Sequence, residues 1–259
     1  MAYLLYGIVK EPEIKGNLTG VKGQPVMFVE ARGLCAAVSE LDIGEGAPPV
    51  EELLAYAQVV EALHHRQAVV PMRYGCFLNG VPAIQDILKA RRRQYETLLA
   101  ELAGHVEMGI RILLPEKECI NISPDITTAQ PKEENAISGR AYLALRKVHY
   151  RMEEETSQGR QAIIDRYIQY FLGLYARHRV ETDAKKDAVV LSLYFLTPEH
   201  KVNRFRETFG DMMAQENDEA LLSGPWPPYN FVTPTHPHPN PAPEGEEKYN
   251  TDSGRHLDS

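Results

Sequence analysis

The stretch "AIQDILKARRRQYETLLAELAGHVEMGIRILLP", Ala83 to Pro115, changes its apolar period at Gly104. Before the glycine, Ile84, Ile87, Leu88, Tyr95, Leu98, Leu99 and Leu102 recur at helical spacing, and Gly104 is a natural stop. After it, Val106, Met108, Ile110 and Ile112 alternate with polar or small residues, the period of a strand, and Pro115 ends the run. A helix thus feeds a long strand. Which sheet takes that strand decides the fold.

Upstream lie "AYLLYGIV" (Ala2–Val9), a short apolar run read as a buried strand, and "PVMFVEARG" and "LCAAVSEL", two strands meeting near Gly33. "VEELLAYAQVVEALHHR" follows a Gly/Pro loop and carries Leu53, Ala57, Val60 and His64 at helical spacing. "AVVPMRYG" returns to a strand pattern. The order β-(ββ)-α-β-α-β over residues 1–115 predicts a ferredoxin-like N-terminal domain with one additional strand, both helices on one face of the sheet.

Downstream, residues 116–134 have little periodicity and read as a linker. Residues 135–232 predict a second α+β domain with long helices, a long helical hairpin among them. Its helical pattern runs to about Arg179, with the stripes Tyr142, Leu145, His149, Met152 and Ile164, Tyr167, Ile168, Phe171, Tyr175. A break is expected near Gly159, because glycine is the weakest ordinary helix former. "AVVLSLYFL" is a strand, "PEHKVNRFRETFGDMMAQ" a helix opened by Pro198, and "EALLSG" a last short strand. The tail, 233–259, is proline-rich and acidic with almost no apolar residues, a composition expected to stay disordered.

Composition narrows the function. A net charge of -8 disfavours general nucleic-acid binding. The three cysteines form no CxxC pair, which suits a reducing compartment. No stretch approaches the ~20 apolar residues of a spanning helix, so the chain reads as cytoplasmic, with no membrane partner. His64 and His65 are adjacent and therefore a poor chelate; His236 and His238 fall in the tail. The basic run Lys89–Arg93 reads as a solvated face, or as a pairing patch for an acidic partner or for Glu153–Glu155. Motifs of nucleotide, metal or nucleophile sites are not found. No catalytic, cofactor or metal residue is assigned.

The most distinctive segment is "LLSGPWPPYNFV", Leu221–Val232, which holds the single tryptophan. Its prolines restrict the backbone at and before each ring, so Ser223–Pro228 is expected to leave the strand as a stiff extended segment. It is open to three readings: a packing device, a docking surface, or a catalytic loop, the last weakened by the lack of a nucleophile or paired acid. Arg73 sits at the end of an apolar strand and needs a carboxylate or carbonyl, internal or on a partner. The candidates for partner-binding or interdomain contact are Arg73, Tyr74, Pro225, Trp226, Pro227, Pro228 and Tyr229.

"LYGIV", "VVPMRYGCFL", "GRAYLALRK" and "GPWPPYNFV", in that order, resemble the GvpF/GvpL family of gas-vesicle proteins over Met1 to about Val232. Tyr74 and Cys76 stand where that family commonly has Phe and Thr. The resemblance implies a non-enzymatic accessory or minor structural protein. Its partners would be the small hydrophobic shell protein and other accessory proteins, its place the cytoplasm and the gas vesicle. It also implies an N-terminal ferredoxin-like domain and a C-terminal α+β domain. A rival reading is a small-ligand or haem-binding enzyme or sensor on a dimeric ferredoxin-like barrel, with His105 and Arg73 as its best residues.

Overall fold

The computed structural model describes residues 2–12, 18–42, 47–115, 157–185, 188–216 and 218–232. The expected linker, the stripe through Tyr142, Leu145, His149 and Met152, and the proline-rich tail lie outside the described residues.

Continuous apolar runs build the first sheet. It contains β1 (Ala2–Val9), β2 (Met27–Ala31), β3 (Leu34–Leu41), β4 (Val70–Pro71) and β5 (Phe77–Leu78), in the order β2-β3-β1-β4 with β5 also on β1. Every pairing is antiparallel. The expected hairpin between β2 and β3 closes through Arg32 (φ 57) and Gly33 (φ 79), two left-handed residues as a two-residue hairpin turn of matching twist requires.

β1 and β3 are buried on both sides, and helices explain it. Leu4, Tyr6 and Val9 share a core with Tyr56, Val59, Val60 and Leu63 of α1 (Val50–His64). Leu5, Ile8 and Val38 share another with α2 (Gly80–Ala90) and α3 (Arg92–Leu102) through Ile84, Leu88, Tyr95 and Leu98. The buried stripe of α1 is thus offset from the expected one, and Leu53 is left 40% exposed. The Tyr56 hydroxyl ties α1 to the sheet, lying 2.9 Å from Leu5 O and 2.8 Å from Met72 O, to one of which it donates at a time. The single helix expected over 83–104 is two helices meeting at Arg91 (φ -110, ψ 18). Its ladder continues, Arg91 N–H donating to Ile87 O and Tyr95 N–H to Arg91 O, so the pair forms one kinked rod.

The strand that decides the fold joins the second sheet. β6 (His105–Pro115) pairs with β8 (Ala188–Pro198) on one side and β9 (Glu219–Trp226) on the other. With β7 (Arg177–Lys185) the order is β7-β8-β6-β9, all antiparallel. The mixed α+β class therefore stands, but the ferredoxin-like arrangement does not describe the first sheet. That sheet lacks β6 and carries helices on both faces. Periodicity marks β6 as half-buried; it cannot say which sheet does the burying.

α4 (157–170) and α5 (Val202–Gln215) cover one face of the second sheet. Ile164, Tyr167, Phe171, Val202, Phe205 and Met212 meet Val106, Met108, Ile110, Ile112, Leu191, Leu193 and Phe195. Phe171 and Phe205 stack at 4.3 Å. Arg166 holds α4 to the segment before β9, donating to Glu216 Oε2 at 2.7 Å and to Asp218, which also accepts from the Tyr167 hydroxyl.

Gly159 lies within α4, and the stretch just before residue 157, where a bend was expected, lies outside the described residues. One expectation fails here. The helical pattern does not run to Arg179, because the chain turns at Gly173 (φ 83), where a left-handed residue is needed. The next segment, "RHRVETDAK", forms β7. It is an edge strand, and its charged residues hide the alternation that would announce it.

Candidate functional site

The proline corner does not leave β9 at Ser223. The strand runs on to Trp226, which pairs with Glu107 of β6 across a register shift. Gly224 (φ 105) makes this possible: a Cβ there would stand 2.6 Å from Glu107 O. Only then does the chain turn, through a short 3-10 turn at Tyr229–Phe231.

The corner divides into an exposed lip and a buried strap. Pro225 is exposed, and Trp226 keeps 45% of its surface in solvent. Pro227 and Pro228 are buried. Tyr229 packs against the α1-side core with Tyr56, while Phe231 and Val232 enter the core between the first sheet and α2/α3. Leu196 and Tyr194 of β8 join that same core from the second sheet. Burying an aromatic ring of this kind contributes roughly 1.5–3 kcal/mol. A six-residue strap thus reaches both cores of the first unit from the edge strand of the second.

Asn230 fixes the strap. Its backbone N–H donates to Glu107 Oε2 at 2.8 Å and its side-chain amide to Glu107 Oε1 at 2.7 Å. Arg73 donates to Asn230 Oδ1 at 3.1 Å, and Arg179 of β7 to Asn230 O at 3.3 Å. Every polar atom of Asn230 is used, from three separate segments. Glu107 is only 4% exposed, and burial raises its carboxyl above the usual range against the opposing pull of Asn230 and Arg73. Burial, reinforced by Glu61 and Glu107, also raises the Tyr229 phenol. Arg177 lies over the Phe231 ring at 5.9 Å and adds a cation–π contact.

The sequence-derived candidates separate accordingly. Arg73, Pro227, Pro228 and Tyr229 belong to the joint between the units. Tyr74 does not reach it. Its hydroxyl donates to Glu52 of α1 at 2.8 Å, and partial burial with that carboxylate pushes it up to about 12. Pro225 and Trp226 form the lip. Glu107, Asn230 and Arg179 were missed. Asn230 sits within the Leu221–Val232 motif, whereas Glu107 occupies a polar alternation site of β6 like Arg111, and no local signal sets it apart. His105, expected by the rival reading to face a ligand with Arg73, is half-buried and bound through Nδ1 to Ala103 O at 2.8 Å. Arg73 is engaged elsewhere. Among the described residues no group of three or more His, Cys, Asp or Glu is placed to hold a metal, and no helix is long and apolar enough to cross a membrane.

Comparison with known proteins fits this architecture. Two crystal structures of gas vesicle protein GvpF superpose on it: from Anabaena sp., TM-score 0.71 at 20% identity over 92% of this chain and 98% of that one; and from Microcystis aeruginosa, TM-score 0.72 at 18% identity over 90% and 99%. By sequence, the chain is 26% identical to gas vesicle protein F1 of Halobacterium salinarum over 233 residues, 88% of this chain and 91% of that protein. It is 24% identical to gas vesicle protein L1 of the same organism over 237 residues, 83% and 84% of the two chains. The family model described as gas vesicle synthesis protein GvpL/GvpF matches residues 2–233. The chain belongs to the GvpL/GvpF family of gas vesicle synthesis proteins.

Proposed function

We propose that this protein works in gas vesicle assembly by binding the small hydrophobic shell protein, as an accessory or minor structural component, with no bond chemistry of its own. The observation that carries the reading, beyond family membership, is the lip. An indole 45% exposed stands beside a strap anchored by buried Pro227, Pro228, Phe231 and Val232 and by the Asn230–Glu107 hydrogen bonds. A side chain carried on so firmly anchored a backbone costs less ordering on docking, and tryptophan is enriched among residues that dominate interfaces. Pro225 beside it offers a second rigid apolar surface.

A pull-down of the shell protein by the full chain tests this. Wild type is expected to retain it, and Trp226→Ala to lose most of it while keeping its melting temperature. Arg73→Ala is expected to weaken capture only as far as it loosens the joint. A correctly folded wild type that captures no shell protein would remove the reading.

A further inference from the structure

Among the described residues the four-stranded sheet has two unpaired edges, and they are built differently. β7 is studded with charge along "RHRVETDAK", the usual way an edge is kept from pairing with another chain. The edge of the first sheet is guarded too: α2 lies against β2, and Gln85 donates to Glu30 O at 3.3 Å. β9 has neither device. "EALLSGPW" carries one charge, and its Leu221 is 65% exposed, the most exposed of the large apolar residues described. Beside it on β6, Leu113 is 42% exposed. Among the described residues nothing pairs with the outer edge of β9.

The usable part of that edge is bounded. At its far end Gly224 O already accepts from Arg206 at 3.1 Å, and Pro225 has no N–H to give. At its near end Asp218 is held by Arg166 and Tyr167. The free stretch is Glu219–Ser223, and its midpoint is Leu221. We propose that β9 is a self-association edge: a second copy of this chain pairs antiparallel through Glu219–Ser223 about a two-fold axis at Leu221, making one continuous eight-stranded sheet.

The register follows from the chemistry. An isologous contact must be self-complementary, and a two-fold at the midpoint is the register that matches every free backbone group in the stretch with its equal. It sets Leu221 of one copy against Leu221 of the other and Glu219 against Ser223, so no like charges face across the seam. Arg111 pairs with Leu221 within one copy. By strand spacing of about 4.8 Å and a rise of about 3.4 Å, its Cα falls ~12 Å from that of Glu219 in the second copy, within combined side-chain reach. Among the described residues neither Arg111 nor Glu219 has an ion-pair partner. Trp226 lies beyond the paired stretch, so the lip stays free in the pair.

Sedimentation equilibrium of the full 29.2 kDa chain tests this. A short edge contact is at the low end of specific interfaces, so a mass rising toward twice the monomer over roughly the micromolar range is expected. Leu221→Lys places a charge on the edge and is expected to raise the dissociation constant at least about tenfold. Because Leu221 is exposed, the substitution is expected to leave the fold intact, and an unchanged melting temperature verifies it. Leu172→Lys, at another exposed leucine outside β9, is expected to leave association unchanged. A monomer at all concentrations up to ~0.1 mM overturns the proposal, as does a dimer that Leu221→Lys leaves intact.

Discussion

The two sheets solve burial in opposite ways. The first is covered on both faces, α1 on one side and the α2–α3 rod on the other, and its strands read as unbroken apolar runs such as "LCAAV". The second has one face under α4 and α5, while among the described residues its other face meets the first unit around Leu196, Tyr194 and the neighbouring Glu107 and Arg177. Farther along that face Leu113 and Leu221 stand open. The first sheet is thus interior, and the second carries both the joint and the more open surface. The Leu221–Val232 motif bridges the two, its strap buried in one and its lip exposed on the other.

The joint is where this contrast can be broken most severely. Asn230→Asp replaces an amide that donates to Glu107 at 2.7 Å with a second carboxylate. Two carboxylates that close cannot both ionise, and a buried charge stripped of its partner costs about 3–5 kcal/mol. At roughly 2–4 °C per kcal/mol, thermal melting at pH 7 is expected to fall visibly. The pH dependence gives the signature. In the wild type burial already holds Glu107 above its unfolded value, so its ionised form works against folding as pH rises through the folded value. In the variant that penalty is larger, so acidification toward pH ~5 is expected to restore part of the lost stability. Equal loss at every pH would mean that geometry, not charge, fixes the strap.

A smaller effect sharpens the contrast between sheets. Leu34 of β3 is fully buried, and Leu34→Ala is expected to destabilise by about 2–5 kcal/mol through lost burial and a residual cavity. Leu113→Ala on the open face of β6 removes the same atoms from a residue 42% exposed, and about 1 kcal/mol or less is expected. Urea unfolding of both variants checks it. Comparable midpoints would show that the open face is not open in solution.

How much of this was legible depended on where each residue's partner lay. β1, the β2–β3 hairpin, α1 and α5 follow from local period and turn chemistry, because their signals sit within a few residues of one another. β6 was legible as a strand but not as a member of the second sheet, since its neighbours arrive only at Ala188 and Glu219. β7 was hidden because edge strands trade apolar alternation for charge. In the candidate site, the motif itself was visible and its division was not. Whether Trp226 faces in or out turns on Gly224, which lets the strand continue two residues past where the prolines seemed to end it. The hub Glu107–Asn230 spans 123 residues, beyond any local pattern.

A gentler test lies at His64, near the junction. It is 9% exposed, and among the described residues neither ring nitrogen has a partner. Burial lowers its pKa from the ordinary 6.5, with Glu199 pulling the other way and His65 adding to the lowering. For a base depressed in the folded state, stability is fully present above the unfolded value and is lost as pH falls from there toward the folded value. Acid lability is therefore expected to begin just below pH 6.5. His64→Leu is expected to remove that step and to hold or raise stability at pH 7, because no hydrogen bond is lost with the ring. Melting curves from pH 7.5 down to 5 read both.

The smallest expected change in stability belongs to the lip, and it is the most informative for function. Trp226→Ala removes the largest side chain in the motif, yet at 45% exposure on an edge strand its contribution to the fold is modest, about 1 kcal/mol or less. Were Trp226 a core plug like Phe231, its loss would cost about 3–5 kcal/mol. The two substitutions, made side by side, therefore separate the halves of one short motif. Phe231→Ala is expected to unfold the joint, while Trp226→Ala is expected to leave a stable protein that no longer captures the proposed partner. If both destabilise alike, the lip is part of the strap, and the proposed docking role of Trp226 falls.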